Sequence, residues 1–297
     1  MRVSTRSFYT GIQERILQLS DDLKKINEKI SSGKNLSRPS DDPLSLIGAI
    51  DLRRSLSQIG QFRRNIERGE SWLNLSESVL SKILQLVERA QEIAIQMASD
   101  TQNSQTRAVS ANEVGHLLDQ AISLGNSRLG GVYLFSGYRI YSPPFEKTII
   151  GGVETAQYNG DDNDFKIMIG KEETLTVGKN GRVVLLESGI FDSLGRLKQA
   201  LETNNLDGIS EAIGRLKEVQ DYLNKEISDV GGRAIRLEGK KEILDQLESD
   251  LQERLSNLED ADYTKVIIEL RQKEIIYQAV LLSSTRIADL TILNYIR

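Results

Sequence analysis

The sequence has no cysteine and only one histidine among its 297 residues. Disulfides, thiol nucleophiles and zinc sites with Cys and His ligands are therefore excluded, and serine–histidine chemistry would depend on His116 alone. His116 lies in a helical pattern with no nucleophile motif beside it, so we expect a packed or surface side chain rather than a catalytic one. The acidic run 159–164 has the ligand types of a calcium loop but not the order of an EF-hand, which favours a solvated turn. We therefore expect no enzyme, no metal and no cofactor.

Proline and aromatic residues are scarce, and no long apolar run is present. Only four prolines and 5% aromatic residues favour long helices over a compact aromatic core. No run of about 18 apolar residues exists, so we expect no membrane insertion. The 38 basic and 43 acidic side chains give a net charge of −5, which offers no general attraction to nucleic acid or anionic lipid. Residues 1–30 lack the features of a secretory signal, and these signs alone indicate a soluble intracellular protein unless another export route exists.

Apolar residues near the start of the chain recur at alternating steps of four and three residues. This spacing predicts a helix with one narrow apolar seam about 28 Å long, which is marginal in water without a partner helix. A similar series near the end of the chain supplies that partner. The residues that we predict to form this assembly seam are Ile12, Ile16, Leu19, Leu23, Ile26, Ile30, Leu270, Tyr277, Leu281, Ala288 and Tyr295.

A stretch without regular structure, residues 31–43, separates the first predicted helix from the second. Gly33 is a typical helix stop, and Asp42 before Pro43 is typical of an N-cap followed by proline at the first helical position. The stretch is longer than most connections between helices. Two interpretations stay open, a well-capped connector and a contact with another molecule. For the second, the candidate residues are Gly33, Arg38, Pro39, Ser40, Asp41, Asp42 and Pro43.

Two long heptad series occupy much of the remaining chain. One runs from Ile59 to Ala94 and the other from Ile209 to Leu258, with apolar residues seven positions apart. Between them, residues 132–186 contain short β-type runs separated by turns that contain glycine. The predicted fold class is therefore mainly α: a long antiparallel, coiled-coil-like helical rod with a small inserted β domain.

This pattern divides the chain into three predicted domains. Residues 1–42 with 263–297 would form a terminal coiled-coil domain for assembly, and residues 43–131 with 190–262 a helical rod domain. Residues 132–189 would form the inserted β domain. Because the two ends of the insert should lie side by side, we expect it to be dispensable for folding of the rod.

Several motifs resemble the flagellin family. The run Pro39-Ser40-Asp41-Asp42-Pro43 within the 31–43 stretch resembles a loop of that family, and the opening residues 1–5 and residues 86–101 are also similar to it. Residues 131–137, with sequence GVYLFSG, and 158–161 are more similar to family members between the flagellar hook and filament than to filament flagellin. The resemblance covers nearly the whole chain.

The resemblance implies a structural protein of the bacterial flagellum, extracellular or, if the flagellum is internal, periplasmic. It implies export by the flagellar type III apparatus, which would reconcile this location with the absent secretory signal. It also implies a ring of copies that binds the first hook-associated protein on one side and flagellin on the other, and a cytosolic export chaperone at the C-terminal helix. No nucleic-acid partner is expected. The alternatives are filament flagellin itself and, in another class, a hydrolase hidden in the β insert.

Overall fold

Six long or medium helices account for most of the protein in a computed structural model that describes residues 2–35 and 42–293. Their bounds are α1 Arg2–Ser32, α2 Pro43–Met97, α3 Ser104–Gly125, α4 Ile190–Glu202, α5 Leu206–Glu259 and α6 Tyr263–Leu293. A short π-helix, Arg182–Leu186, precedes α4. These long helices, with a few small antiparallel sheets between α3 and α4, confirm the predicted mainly α fold class.

The chain forms two compact units. We call residues 59–245 the central unit, and residues 1–58 with 246–297 the terminal unit. The boundaries between the units fall within α2 and α5. The division into three domains proposed from the sequence stays a prediction.

The ends of α1 and α2 agree with their local sequence signals. Gly33 follows α1 with a φ of 69°, and its N–H donates to the carbonyl of Lys29 at 2.9 Å. A positive φ is readily adopted by glycine, which makes Gly33 an effective helix stop. At the start of α2, Oδ1 of Asp42 accepts hydrogen bonds from the backbone N–H groups of Leu44 and Ser45, at 3.1 and 3.2 Å. The predicted stop at Gly33 and the predicted cap at Asp42 are confirmed.

The heptad series of α2 and the part of the α5 series from Ile209 to Leu244 lie in the core of the central unit. Gln91 near the end of α2 accepts a hydrogen bond from Gln220 of α5 at 2.7 Å, and Arg63 lies 3.1 Å from Asp245. The residue with the higher number on α2 contacts the residue with the lower number on α5, so the two helices run antiparallel. The residues of the two series at 1% exposure or less are Ile66, Leu73, Leu80, Val87, Ala94, Ile209, Leu216, Leu223 and Leu237.

The β insert consists of three antiparallel hairpins. Their strands are β1 Arg128–Leu129, β2 Val132–Tyr133, β3 Phe145–Ile150, β4 Val153–Tyr158, β5 Phe165–Met168 and β6 Thr174–Gly178. In β3 and β4, Phe145 pairs with Tyr158 and Ile150 with Val153. The tight turn between these strands is made by Gly151 and Gly152, which have φ values of 61° and 83°.

The sequence pattern also predicts a third helix that ends at Gly130-Gly131 and a strand over 132–135, and the structure differs in both places. The third helix ends at Gly125 rather than at Gly130-Gly131, because the side chain of Asn126 bonds both backbone groups of Phe145 and so begins the β region. A strand predicted over 132–135 covers only Val132–Tyr133.

The insert shares one hydrophobic core with the helices around it. The ring of Phe145 on β3 lies 5.1 Å from that of Phe191 on α4, and both side chains are fully buried. Trp72 of α2 packs on Phe165 of β5 with ring centroids 4.9 Å apart. Such packing argues against the expectation that the insert is dispensable for folding, because its removal would expose these helix faces to water.

Candidate assembly surface

The two predicted seams meet in the terminal unit, where α1 and α6 lie side by side. Nζ of Lys273 on α6 donates to Oδ2 of Asp22 on α1 at 2.6 Å, and Lys34 pairs with Asp260 in an antiparallel bridge. From the first contact to the second, the residue number rises from 22 to 34 on one side and falls from 273 to 260 on the other. The two helices therefore run antiparallel. The predicted association of the first helix with the last is observed.

Burial along the seam differs between the two helices. On α1, Leu19 and Ile26 are buried, and the other four predicted residues, Ile12, Ile16, Leu23 and Ile30, are half-buried. On α6, Leu270 and Tyr277 are half-buried, whereas Leu281 is 38% exposed. The side chain of Ala288 and the whole of Tyr295 lie outside the described residues. Whether these residues also form contacts between molecules stays a prediction.

Sequence reasoning missed Val266, which is buried on α6. The neighbouring Ile267 also belongs to the apolar series in the sequence, but it is 48% exposed. The buried or half-buried positions of α6 include a series at alternating steps of four and three residues, namely Val266, Leu270, Lys273, Tyr277, Val280 and Ser284. A lysine at one of these positions interrupts the apolar pattern, which explains why the sequence alone gave the wrong phase there.

A buried carboxylate joins the start of the 31–43 stretch to the turn between α5 and α6. We call Lys34, Arg53 and Glu259 the Glu259 clasp. Oε2 of Glu259 accepts hydrogen bonds from Nζ of Lys34 and Nη2 of Arg53, both at 2.6 Å, and its side chain is only 4% exposed. The backbone adds two bonds, from Asn35 N–H to the carbonyl of Glu259 at 2.7 Å and from Ala261 N–H to that of Gly33 at 2.9 Å.

The electrostatics of the clasp favour an ionised Glu259. Burial raises the pKa of this carboxyl, but the hydrogen bonds and charges of Lys34 and Arg53 outweigh burial and hold the pKa below its usual value. A carboxylate whose pKa is depressed by folding stabilises the folded state above its unfolded pKa, and this contribution is lost as the pH falls through the folded pKa. Sequence reasoning missed the clasp because Glu259 is 225 residues from Lys34.

The clasp leads to a prediction about acid sensitivity. Replacing Glu259→Gln should lower the free energy of unfolding at pH 7 by about 1–2 kcal/mol, since two charge-assisted bonds are weakened and both cations are partly exposed. The difference from the parent chain should shrink below pH ~4, where the parent carboxylate also becomes protonated. Urea unfolding followed by circular dichroism at pH 7 and pH 3 measures both effects. The control is Glu253→Gln, an exposed residue of the same helix; an equal loss at both pH values would contradict the prediction.

The predicted intermolecular loop is described only at its two ends. Arg38, Pro39, Ser40 and Asp41 lie outside the described residues. Gly33 stands against α6, where an added Cβ would lie 2.8 Å from the hydroxyl of Tyr263. Asp42 and Pro43 serve as the cap and first residue of α2. The ends therefore have a connector role, and an intermolecular role for the loop stays a prediction.

The terminal unit exposes an unusual number of large apolar side chains. They are Leu17, Leu44, Ile47, Ile50, Leu247, Leu258, Tyr263, Ile267, Ile268, Ile275, Ile276, Leu281 and Leu282. Scattered exposed apolar residues are ordinary, but a concentration on one helix indicates an interaction surface. Seven of these residues belong to α6. The sequence patterns had assigned one stripe to each terminal helix, so the outer residues of α6 were missed.

The candidate catalytic and metal positions give no competing site in the described residues. His116 is exposed on α3. In the acidic turn, Oδ1 of Asp162 pairs with Arg182 at 2.6 Å and Oδ1 of Asp164 accepts from Asn180 N–H at 3.1 Å, so these oxygens bind protein donors. The described ranges contain no group of three or more His, Cys, Asp or Glu residues arranged to hold a metal ion. Of the described helices, none combines the length and apolarity that a membrane crossing requires.

Comparison with known proteins relates the chain to flagellar proteins of bacteria. The family model for the bacterial flagellin N-terminal helical region matches residues 3–139. The chain is 25% identical to flagellar hook-associated protein 3 of Salmonella typhimurium over 94% of each chain. It is 29% identical to flagellar hook-associated protein 3 of Escherichia coli, over 73% of this chain and 67% of that protein. A solved structure of a putative flagellar hook-associated protein from Vibrio parahaemolyticus shares the fold, with a TM-score of 0.67, 18% identity and coverage of 74% of this chain and 100% of that one.

Residues 3–139 of the chain match the flagellin family through its N-terminal helical region. Within that family, the relatives named flagellar hook-associated protein 3 support a junction protein between hook and filament over filament flagellin. The predicted resemblance is confirmed at both levels.

Proposed function

We propose that the chain is a structural component of the bacterial flagellum and forms a ring of copies that joins the hook to the filament. The observation that carries the proposal is the paired α1 and α6, which leave apolar side chains of α6 exposed. A surface of this kind is stable in water only when other protein surfaces cover it. The named relatives supply the setting, since their names assign them to the hook.

The partners follow from the two sides of such a ring. The first hook-associated protein would bind on the hook side, flagellin on the filament side, and further copies of this chain within the ring. Placement outside the cell, or in the periplasm for an internal flagellum, requires export, for which we propose the flagellar type III apparatus. Before export, a cytosolic chaperone would cover α6, in the mode by which an apolar helix face binds a groove. A role in catalysis is not part of the proposal.

Function should depend on apolar side chains of α6. Replacing both Leu270→Asp and Leu281→Asp should remove at least about 2 kcal/mol of apolar burial per site in the assembled state, and adds charge to the contact. We expect the variant to lose chaperone binding and to leave filaments unattached even when it is exported. The control is Gln18→Asp with Asn27→Asp, two exposed polar positions of α1 that receive the same added charge. Attached filaments of normal number in cells producing only the first variant would overturn the proposed role of this helix.

Location separates the proposed function from its alternatives. Immunogold labelling of isolated hook–filament structures should place the chain only at the tip of the hook. Labelling along the filament would instead support filament flagellin. The other alternative, a hydrolase in the β insert, is tested by a screen of generic hydrolase substrates. Turnover that disappears when residues of the β insert are changed would contradict a purely structural role.

A further inference from the structure

Helix α6 carries a second apolar stripe on the side away from α1. We define the outer stripe as Ile268, Ile275 and Leu282, which are seven positions apart and 54, 65 and 64% exposed. At 100° per residue, Ile275 lies about 180° around the helix from the buried Val266. In a two-helix coiled coil this position faces water and is normally polar. The outer stripe therefore has no explanation in the pairing of α6 with α1.

The corresponding positions of α1 carry acidic rather than apolar residues. Asp21 and Glu28 follow the seam residues Ile16 and Leu23 by five positions, as Ile275 follows Leu270 on α6. Glu14 precedes Asp21 by seven positions. This series is acidic over three heptads, in contrast to the outer stripe of α6. At these positions the two helices of the pair thus differ in their outer faces, and α6 carries the apolar one.

The terminal unit itself offers a matching surface. At the start of α2, Leu44, Ile47 and Ile50 are 83, 59 and 47% exposed, and we call these residues the α2 patch. Leu258 of α5 extends the apolar area, since its Cδ1 lies 3.6 Å from where a Cβ on Gly48 would be. The α2 patch and the outer stripe are both exposed within one copy, so neither covers the other there. Each can be covered by the other when it belongs to a second copy.

Symmetry favours this pairing over a contact between two outer stripes. Two identical stripes would make an isologous contact, which joins two copies and then ends. A contact between two different surfaces is heterologous, and it continues from copy to copy into a ring or a helix. Resting on the proposed function as a ring, we propose that the outer stripe of one copy packs against the α2 patch of the next.

Cross-linking tests this contact directly, because the chain contains no cysteine and any introduced thiol is unique. One variant carries Ile275→Cys and a second carries Ile47→Cys. Both are produced in the same cells, hook–filament structures are isolated, and a short bis-maleimide is added. We expect covalent dimers of the chain when both variants are present and none when either is present alone. The matched control replaces the first variant with Gln18→Cys, on the polar side of α1.

The outcomes separate the inference from the proposed function. Dimers from Ile275→Cys alone would show an isologous contact, and cross-links to a different protein would show another occupant; either overturns the inference while the ring stands. A second pair of variants is Leu282→Cys with Leu44→Cys. The inference is also overturned if neither pair gives dimers in preparations where immunogold finds the chain at the hook tip. The second pair of variants provides the test if the first pair does not assemble into hook–filament structures. Absence of the chain from the hook tip would instead overturn the proposed function.

Discussion

Excision of residues 131–188, with Gly130 joined to Gly189 by a short Gly/Ser linker, is expected to abolish cooperative unfolding of the central unit. The excised segment contributes buried side chains, among them Phe145, Tyr158 and Leu185. Each large apolar side chain contributes about 1.5–3 kcal/mol when buried, so the loss of several exceeds a typical domain stability of about 5–15 kcal/mol. Leu194 and Leu197 of α4, both fully buried, would face solvent in the shortened chain or lose their packing.

Thermal unfolding followed by circular dichroism measures this loss, and dye binding reports exposed apolar surface. The control inserts the same linker between Gly151 and Gly152, at an exposed turn where an added Cβ meets no backbone and no apolar atom within 4 Å. That insertion should preserve a cooperative transition. A sharp transition in the shortened chain would mean that the insert folds separately, as the sequence pattern alone had predicted.

Replacing Gly195→Ala should destabilise the central unit, although alanine is normally the better residue in a helix. A Cβ on Gly195 of α4 would overlap the backbone carbonyl oxygen of Glu154 on β4, and backbone cannot turn aside as a flexible side chain can. Overpacking of this kind costs about 1–3 kcal/mol, so we expect a loss of that size in the free energy of unfolding. The same change prevents the close approach of α4 to the backbone of β4 on which the position of the β3–β4 hairpin depends.

The control is Gly214→Ala in α5, where an added Cβ meets no atom within 4 Å. There the ordinary helix preference should apply and raise the free energy of unfolding by about 0.5–1 kcal/mol. Denaturant unfolding of the three chains gives both values. Stabilisation by Gly195→Ala would show that α4 and the hairpin separate easily, contrary to the packing described.

Local patterns were sufficient to predict the long helices. The seven-residue series through Leu73 on α2 and Leu223 on α5 records burial on one side of a helix, which is a property of neighbouring positions in the chain. The cap at Asp42 and the stop at Gly33 are likewise local. Such features can be read from the sequence because the residues that cause them lie within one or two helical turns.

Features made by distant residues could not be predicted in this way. The Glu259 clasp joins residues more than 200 positions apart, and nothing near Glu259 marks it as buried. The tight contact of Gly195 with β4 depends on how a hairpin lies on a helix. The outer stripe was missed for another reason: Ile268 and Ile275 are visible as apolar residues, but only the observed phase of α6 shows that they face away from α1.

The pairing of α1 with α6 has a consequence for the order of folding. Asp22 and Lys273 are separated by 251 residues, so this part of the protein has a very high contact order. During synthesis, α1 emerges well before α6 and remains without its partner while the intervening residues are made. The α3 and α4 contacts, in comparison, close much shorter loops. Helix α1 therefore waits for a partner that is made much later, and a delay in translation before α6 would prolong the time during which Leu19 and Ile26 stay uncovered.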